Sequence, residues 1–138
     1  MKRVFADSAF WIALRDSEEP RYELAAEIAE WLIEQRYTLI VTPFIFAETQ
    51  AYFARELDIK DFVIEDFWNN PTVKMEQPSY ADQVEAIAIL RKFPDKTYSF
   101  TDALSFVVMK RLDINQVVTF DRHFRQFGEF TIIDNIPA

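Results

Sequence analysis

Apolar positions along this chain follow two periods. Compact runs occur at Arg3-Val4-Phe5-Ala6, Thr38-Leu39-Ile40-Val41-Thr42, Gln116-Val117-Val118-Thr119-Phe120 and Thr131-Ile132-Ile133. Runs this short, rich in β-branched and aromatic side chains, predict buried strands, and residues 72–75 predict a further short one. Between them the spacing becomes helical. Residues 8–14 follow the first strand directly, and Pro20 opens a segment with Tyr22, Ala25, Ile28, Ala29 and Leu32 at helical spacing. Pro43 starts a helix predicted to run to about residue 57. Residues 61–68 form another, with Val63, Ile64, Phe67 and Trp68 on one side and Asn69-Asn70-Pro71 as its stop. Helices over 79–93, with a stripe of Tyr80, Val84, Ile87 and Ala88, and over 101–112 complete the set.

Short apolar strands that alternate with helices predict an α/β fold with a mainly parallel sheet. The expected form is a three-layer α/β/α sandwich with four to five strands. No repeat, low-complexity tract or linker interrupts the chain, so residues 1–138 are expected to form one domain. Ligands bind such folds at the carboxyl ends of strands, and four acids break the apolar pattern near those ends. Asp7 closes the first strand, and Asp121 closes the run 116–120. Glu48 follows Pro43-Phe44-Ile45-Phe46-Ala47, and Asp102 opens the stretch Ala103-Leu104-Ser105-Phe106-Val107-Val108-Met109. Acids are rarely buried unless paired, protonated or holding a cation, so four acids facing one sheet edge point to a divalent-cation site.

Composition narrows the function. Half of the 138 residues are apolar and 16% are aromatic, including 14 Phe, which excludes a disordered chain and provides for a proper core. No run approaches the ~18 apolar residues of a membrane span. Asp7 arrives before the apolar core of a signal peptide could form. Cysteine is absent, which excludes disulfides and thiolate chemistry, and the cytoplasm is the expected compartment. The single glycine, Gly128, excludes phosphate-cradling P-loops and dinucleotide fingerprints, since each needs several glycines in a short loop. A net charge of −8 argues against a polyanionic partner until cations are counted. Two divalent ions would reduce it to about −4 and concentrate positive charge at the acids.

Each acid also has a structural reading. Asp7 stands at a strand-to-helix junction, where cap and ligand are equally open, and Ser8 can cap in its place. Ser99-Phe100-Thr101-Asp102 has the capping-box spacing, and Ser79-Tyr80-Ala81-Asp82 repeats it, so the spacing alone makes Asp102 a cap. Asp121 reads as a turn-former or a ligand. Glu48 resists such a reading, because Phe44, Ile45, Ala51 and Tyr52 occupy its helical neighbour positions and none is a cation. His123 has no His or Cys partner for a usual zinc site and is expected to pack or hydrogen-bond, outside the catalytic set.

Taken in order, Val4-Phe5-Ala6-Asp7-Ser8, Phe46-Ala47-Glu48, Ser99-Phe100-Thr101-Asp102-Ala103-Leu104 and Val118-Thr119-Phe120-Asp121-Arg122-His123-Phe124 resemble the PIN-domain nucleases, most closely the VapC-like toxins of toxin–antitoxin pairs. The resemblance covers essentially the whole chain. It implies a PIN-like fold and a metal-dependent ribonuclease that uses Mg²⁺, with Mn²⁺ substituting, as one or two ions. It also implies a homodimer held inactive by a cognate antitoxin. Carried over residue by residue, it makes Asp7, Asp102 and Asp121 direct ligands and Glu48 a ligand or a group that orients a water. Ser99 becomes a hydroxyl that supports the site. Arg122 and Arg125, and more weakly Arg15 and Arg55, are candidate contacts to substrate phosphates, set against an ordinary solvated surface role.

The chemistry suits the donors, since hard oxygen ligands hold Mg²⁺ and Mn²⁺. Such an ion acidifies an attacking water and offsets charge on a phosphodiester. A phosphoacceptor receiver domain, also small and acidic, needs a pair of acids after the first strand and a lysine near the end of a late one. Here Asp7 stands alone, and Thr131-Ile132-Ile133 leads to Asp134-Asn135. The remaining alternative is a catalytically silent PIN fold that acts as an interaction module, for which Trp11, Trp31, Phe62 and Trp68 suit an interface as well as a core.

Overall fold

The computed structural model describes residues 2–137. Its strands are β1 (Lys2–Ala6), β2 (Tyr37–Val41), β3 (Val73–Met75), β4 (Gln116–Val118) and β5 (Thr131–Ile133). Its helices are α1 (Ser8–Arg15), α2 (Tyr22–Glu34), α3 (Pro43–Tyr52), α4 (Leu57–Trp68), α5 (Tyr80–Lys92), α6 (Phe100–Arg111) and α7 (Arg122–Phe127). The strands form one all-parallel sheet in the order β3-β2-β1-β4-β5, the α/β architecture that the alternation predicts. β1 lies at the centre, and Val4, Phe5 and Ala6 are fully buried, as befits a strand covered on both faces. The register sets Phe5 opposite Val117 and Ala6 opposite Val118, so β1 and β4 end side by side. The chain leaves β1 toward β2 and leaves β4 toward β5, in opposite directions along the sheet. Their carboxyl ends therefore flank the topological switch point.

Three details differ from the sequence reading, each for a local reason. The helix expected over 43–57 stops at Tyr52, because Phe53 turns fully inside and residues 53–56 form tight turns before α4 begins at Leu57. The strand expected over 116–120 ends at Val118, because its partners there, Ala6 and Ile133, are the last residues of β1 and β5. The stripe of Tyr80, Val84 and Ile87 faces outward, at 82, 50 and 45% exposure, while Asp82 and Ala86 face in.

One helix escaped the sequence reading. The short α7 is capped by Asp121, whose side chain accepts from the His123 amide, and Gly128 ends it at φ 80°, a left-handed conformation that favours glycine. Phe124 anchors it, fully buried, with ring centroids 5.0 Å from Phe106 and 6.5 Å from Phe5. Phe127 stacks on Phe106 at 4.3 Å. This aromatic packing fixes where Asp121 and His123 sit relative to α6 and β1. No helix among the described residues is long and apolar enough to cross a membrane.

Candidate active site

Asp7 and Asp121 leave the sheet on either side of the switch point. Asp7 occupies the N-cap position of α1, yet its side chain makes no cap hydrogen bond. Its Oδ2 accepts from Thr119 Oγ1 at 2.8 Å, and that hydroxyl oxygen in turn accepts from the Asp121 amide at 3.0 Å. One buried hydroxyl thus ties the ends of β1 and β4 together. Thr119 carries no charge to mark it, and its signal in the sequence is a hydroxyl just past an apolar strand and ahead of Asp121. Asp7 is only 2% exposed. Burial, reinforced by repulsion from Asp102 and Asp121, raises its pKa from 3.8 to about 7 against the opposing hydrogen bond from Thr119.

Asp102 is both a cap and a member of the cluster. Its Oδ2 accepts from the Ser99 amide at 2.9 Å while Ser99 Oγ accepts from the Asp102 amide at 3.0 Å, the reciprocal box that the sequence spacing predicts. Ser99 therefore holds Asp102 in place. The same Oδ2 lies 2.7 Å from His123 Nδ1. Burial raises the Asp102 pKa, and Asp121 adds to this, against the Ser99 amide and His123. Asp82 forms an identical box with Ser79, but its two oxygens accept from Arg111 Nε at 2.9 and 3.0 Å. There burial is outweighed by the guanidinium and the Ser79 amide, and the pKa falls. The two boxes are alike in sequence and differ in what faces the carboxylate.

Glu48 projects from α3, half-buried, and accepts from Ser8 Oγ at 2.8 Å. Burial raises its pKa, with Asp102 and Asp121 adding to the shift, so it lies in the field of both. Asp121 Oδ1 accepts from the His123 amide at 2.9 Å and lies 3.4 Å from His123 Nδ1. His123, expected to hydrogen-bond outside the catalytic set, does hydrogen-bond, but inside the cluster. Ligand atoms of Asp102, Asp121 and His123 all lie within 4.8 Å of one another.

The arginines divide. Arg15 is engaged by Asp66 through two hydrogen bonds of 2.7 and 2.6 Å, and Arg125 by Asp134 at 2.9 Å. Arg122 is exposed on α7 beside Asp121, and Arg55 is exposed in the turn before α4. Elsewhere among the described residues, the buried acids Asp66 and Asp82 have guanidinium partners. None of Asp7, Glu48, Asp102 and Asp121 forms an ion pair with Lys or Arg among the described residues. A set of half-buried to buried carboxylates without Lys or Arg partners fits a bound divalent ion, for which oxygen donors are the natural ligands.

The family model for the PIN domain matches residues 4–129. The chain belongs to the PIN domain family. The 23S rRNA-specific endonuclease VapC20 of Mycobacterium tuberculosis is 26% identical over 126 residues, which cover 91% of this chain and 94% of that protein. The crystal structure of VapC20, described as a sarcin–ricin-loop-cleaving toxin, is similar with a TM-score of 0.80 at 23% identity, covering 91% of this chain and 95% of that one. VapBC2 from Rickettsia felis, solved with a DNA fragment from its promoter, has a TM-score of 0.70 at 11% identity, with 95 and 97% coverage. FitAcB from Neisseria gonorrhoeae has a TM-score of 0.65 at 13% identity, with 95 and 96% coverage. These structural likenesses establish the fold, and PIN nucleases as a family use a divalent metal.

Proposed function

We propose that this PIN-domain chain is an endoribonuclease that hydrolyses RNA phosphodiester bonds with Mg²⁺ or Mn²⁺, and that it is the toxin of a toxin–antitoxin pair acting in the cytoplasm. The observation that carries the reading is the set of four acids without Lys or Arg partners at the switch point of a PIN fold. The similarity to VapC20, an rRNA endonuclease, supports RNA as the substrate class. When bound, the ion supplies positive charge that acidifies the attacking water and offsets charge on the phosphodiester. Asp7, Asp102 and Asp121 are the residues that would hold it. Thr119 fixes the rotamer of Asp7, and the box with Ser99 fixes Asp102. Glu48, restrained by Ser8, is assigned to holding the ion or receiving the proton of the attacking water. Arg122, exposed beside Asp121, is assigned to a neighbouring substrate phosphate.

Two apolar surfaces support the protein partners. α4 exposes Leu57, Phe62, Ile64 and Trp68 and packs against α3, the helix that carries Glu48. A peptide that both docks and obstructs the site needs apolar surface beside it, so we assign the antitoxin to α4. The outward stripe of α5 is assigned to a homodimer contact.

The test is cleavage of an end-labelled structured RNA by purified chain freed of any partner. Cleavage should require Mg²⁺ or Mn²⁺ and stop in EDTA. Asp7→Asn and Asp121→Asn should each abolish it while circular dichroism stays unchanged. Undiminished cleavage in EDTA, or in either variant, would sink the reading.

A further inference from the structure

His123 is the one member of the cluster that is not a carboxylate. Its ring cannot easily swing away. Nε2 lies 3.0 Å from Thr97 Oγ1, and the ring meets Tyr98 edge-on at 5.6 Å and 89°. The helix beneath it is pinned by Phe124, which is fully buried. These contacts hold Nδ1 toward the acids, 2.7 Å from Asp102 Oδ2 and 3.4 Å from Asp121 Oδ1. Neighbouring donors around an octahedral ion with bonds of about 2.1 Å lie about 3 Å apart. The two observed separations bracket that value, and the mutual limit of 4.8 Å for all three ligand atoms is met.

We propose that His123 Nδ1 is itself a ligand of the cation held by Asp102 and Asp121, and that this nitrogen makes the site prefer a first-row transition ion such as Mn²⁺ over Mg²⁺. The inference rests on the metal site proposed above and adds a donor to it. Imidazole is a borderline ligand that transition ions accept, whereas Mg²⁺ favours oxygen and gives up its waters reluctantly. An all-carboxylate site discriminates little between the two ions; one imidazole tips it. Thr97 is then the outer partner of the ligating ring, the arrangement that fixes which nitrogen faces the metal.

Pulsed EPR on the whole chain loaded with Mn²⁺ reads the ligand directly. The wild type should show ¹⁴N modulation from one coordinated imidazole nitrogen, and H123Q, at matched loading, should lack it. In equilibrium competition, the preference for Mn²⁺ over Mg²⁺ should fall roughly ten-fold in H123Q. Because the spectroscopic readout uses the unaltered protein, poor folding of the variant leaves the test intact. A loaded wild type without ¹⁴N modulation overturns the inference, leaves His123 as a hydrogen-bond partner of Asp102, and leaves the nuclease reading standing. Failure of Mn²⁺ to bind at all overturns both.

Discussion

Replacing Asp7 by Asn separates the stability of this protein from its proposed chemistry. The carboxyl is 2% exposed, and its pKa rises from 3.8 to about 7 in the folded chain without metal. An acid whose folded pKa lies above its unfolded value binds its proton more tightly when folded. The resulting penalty on the folded state is absent below about pH 3.8, grows as pH rises, and is complete above about pH 7. Three units correspond to roughly 4 kcal/mol. Asn keeps the shape and can still accept the Thr119 hydrogen bond, but never ionises. At pH 8 in EDTA, Asp7→Asn should therefore be more stable than wild type by about 2–4 kcal/mol, the lower bound allowing for an imperfectly satisfied amide. At pH 4 the gain should vanish.

Divalent metal should offset most or all of that advantage. At 100-fold over its dissociation constant a ligand adds about 2.7 kcal/mol to the form that binds it. Wild type should gain that in Mn²⁺, and Asp7→Asn should gain none. Urea melts at pH 4 and pH 8, each with EDTA and with Mn²⁺, supply the four comparisons. A variant less stable than wild type at pH 8 in EDTA would refute the reasoning, as would an offset equal at both pH values. Either result would mean that Asp7 is held in its ionised form by groups other than those seen around it.

The twin capping boxes give a matched pair. Asp102→Asn should lower RNA cleavage on the order of 100-fold or more, whereas Asp82→Asn, which loses the Arg111 pair, should cost about 1–3 kcal/mol in urea melts and leave turnover per folded molecule unchanged. Thr119→Val should leave the Asp121 amide and Asp7 without their shared hydroxyl. It should destabilise by about 1–3 kcal/mol at pH 8 and weaken Mn²⁺ binding in calorimetry. Phe124→Ala empties a buried site between Phe5 and Phe106 and should cost about 3–5 kcal/mol by denaturant unfolding.

Much of the fold was legible in the sequence because short apolar runs and helical stripes carry their period locally. Each of the five strands lies where such a run occurs, and the acids at two of their ends mark the switch point. What escaped depends on contacts distant in sequence. Nothing near Thr119 shows that its hydroxyl meets Asp7, 112 residues away. The stripe on α5 has the right spacing for a core face, but the neighbouring helix meets the side that bears Asp82 and Ala86. Periodicity shows that a face is apolar and leaves open what covers it.

The candidate site was legible in the same uneven way. Glu48 stood out because a helix brings only four positions near it, and none was a cation. Asp102 and Asp82 could not be told apart, since a capping box uses the amide and carboxyl of residues three apart and is blind to the third dimension. Cap and ligand are compatible roles: the box consumes one oxygen of Asp102, at 2.9 Å from the Ser99 amide, and holds the carboxylate in a fixed pose. What makes one box structural and the other a site is the group placed opposite. Arg111 neutralises Asp82, while Asp121 and His123 face Asp102. A guanidinium there would complete a buried pair, and carboxylates there leave negative charge that a divalent cation can offset. The chemistry of this chain thus lies less in which residues carry acids than in which acids the fold leaves without an arginine.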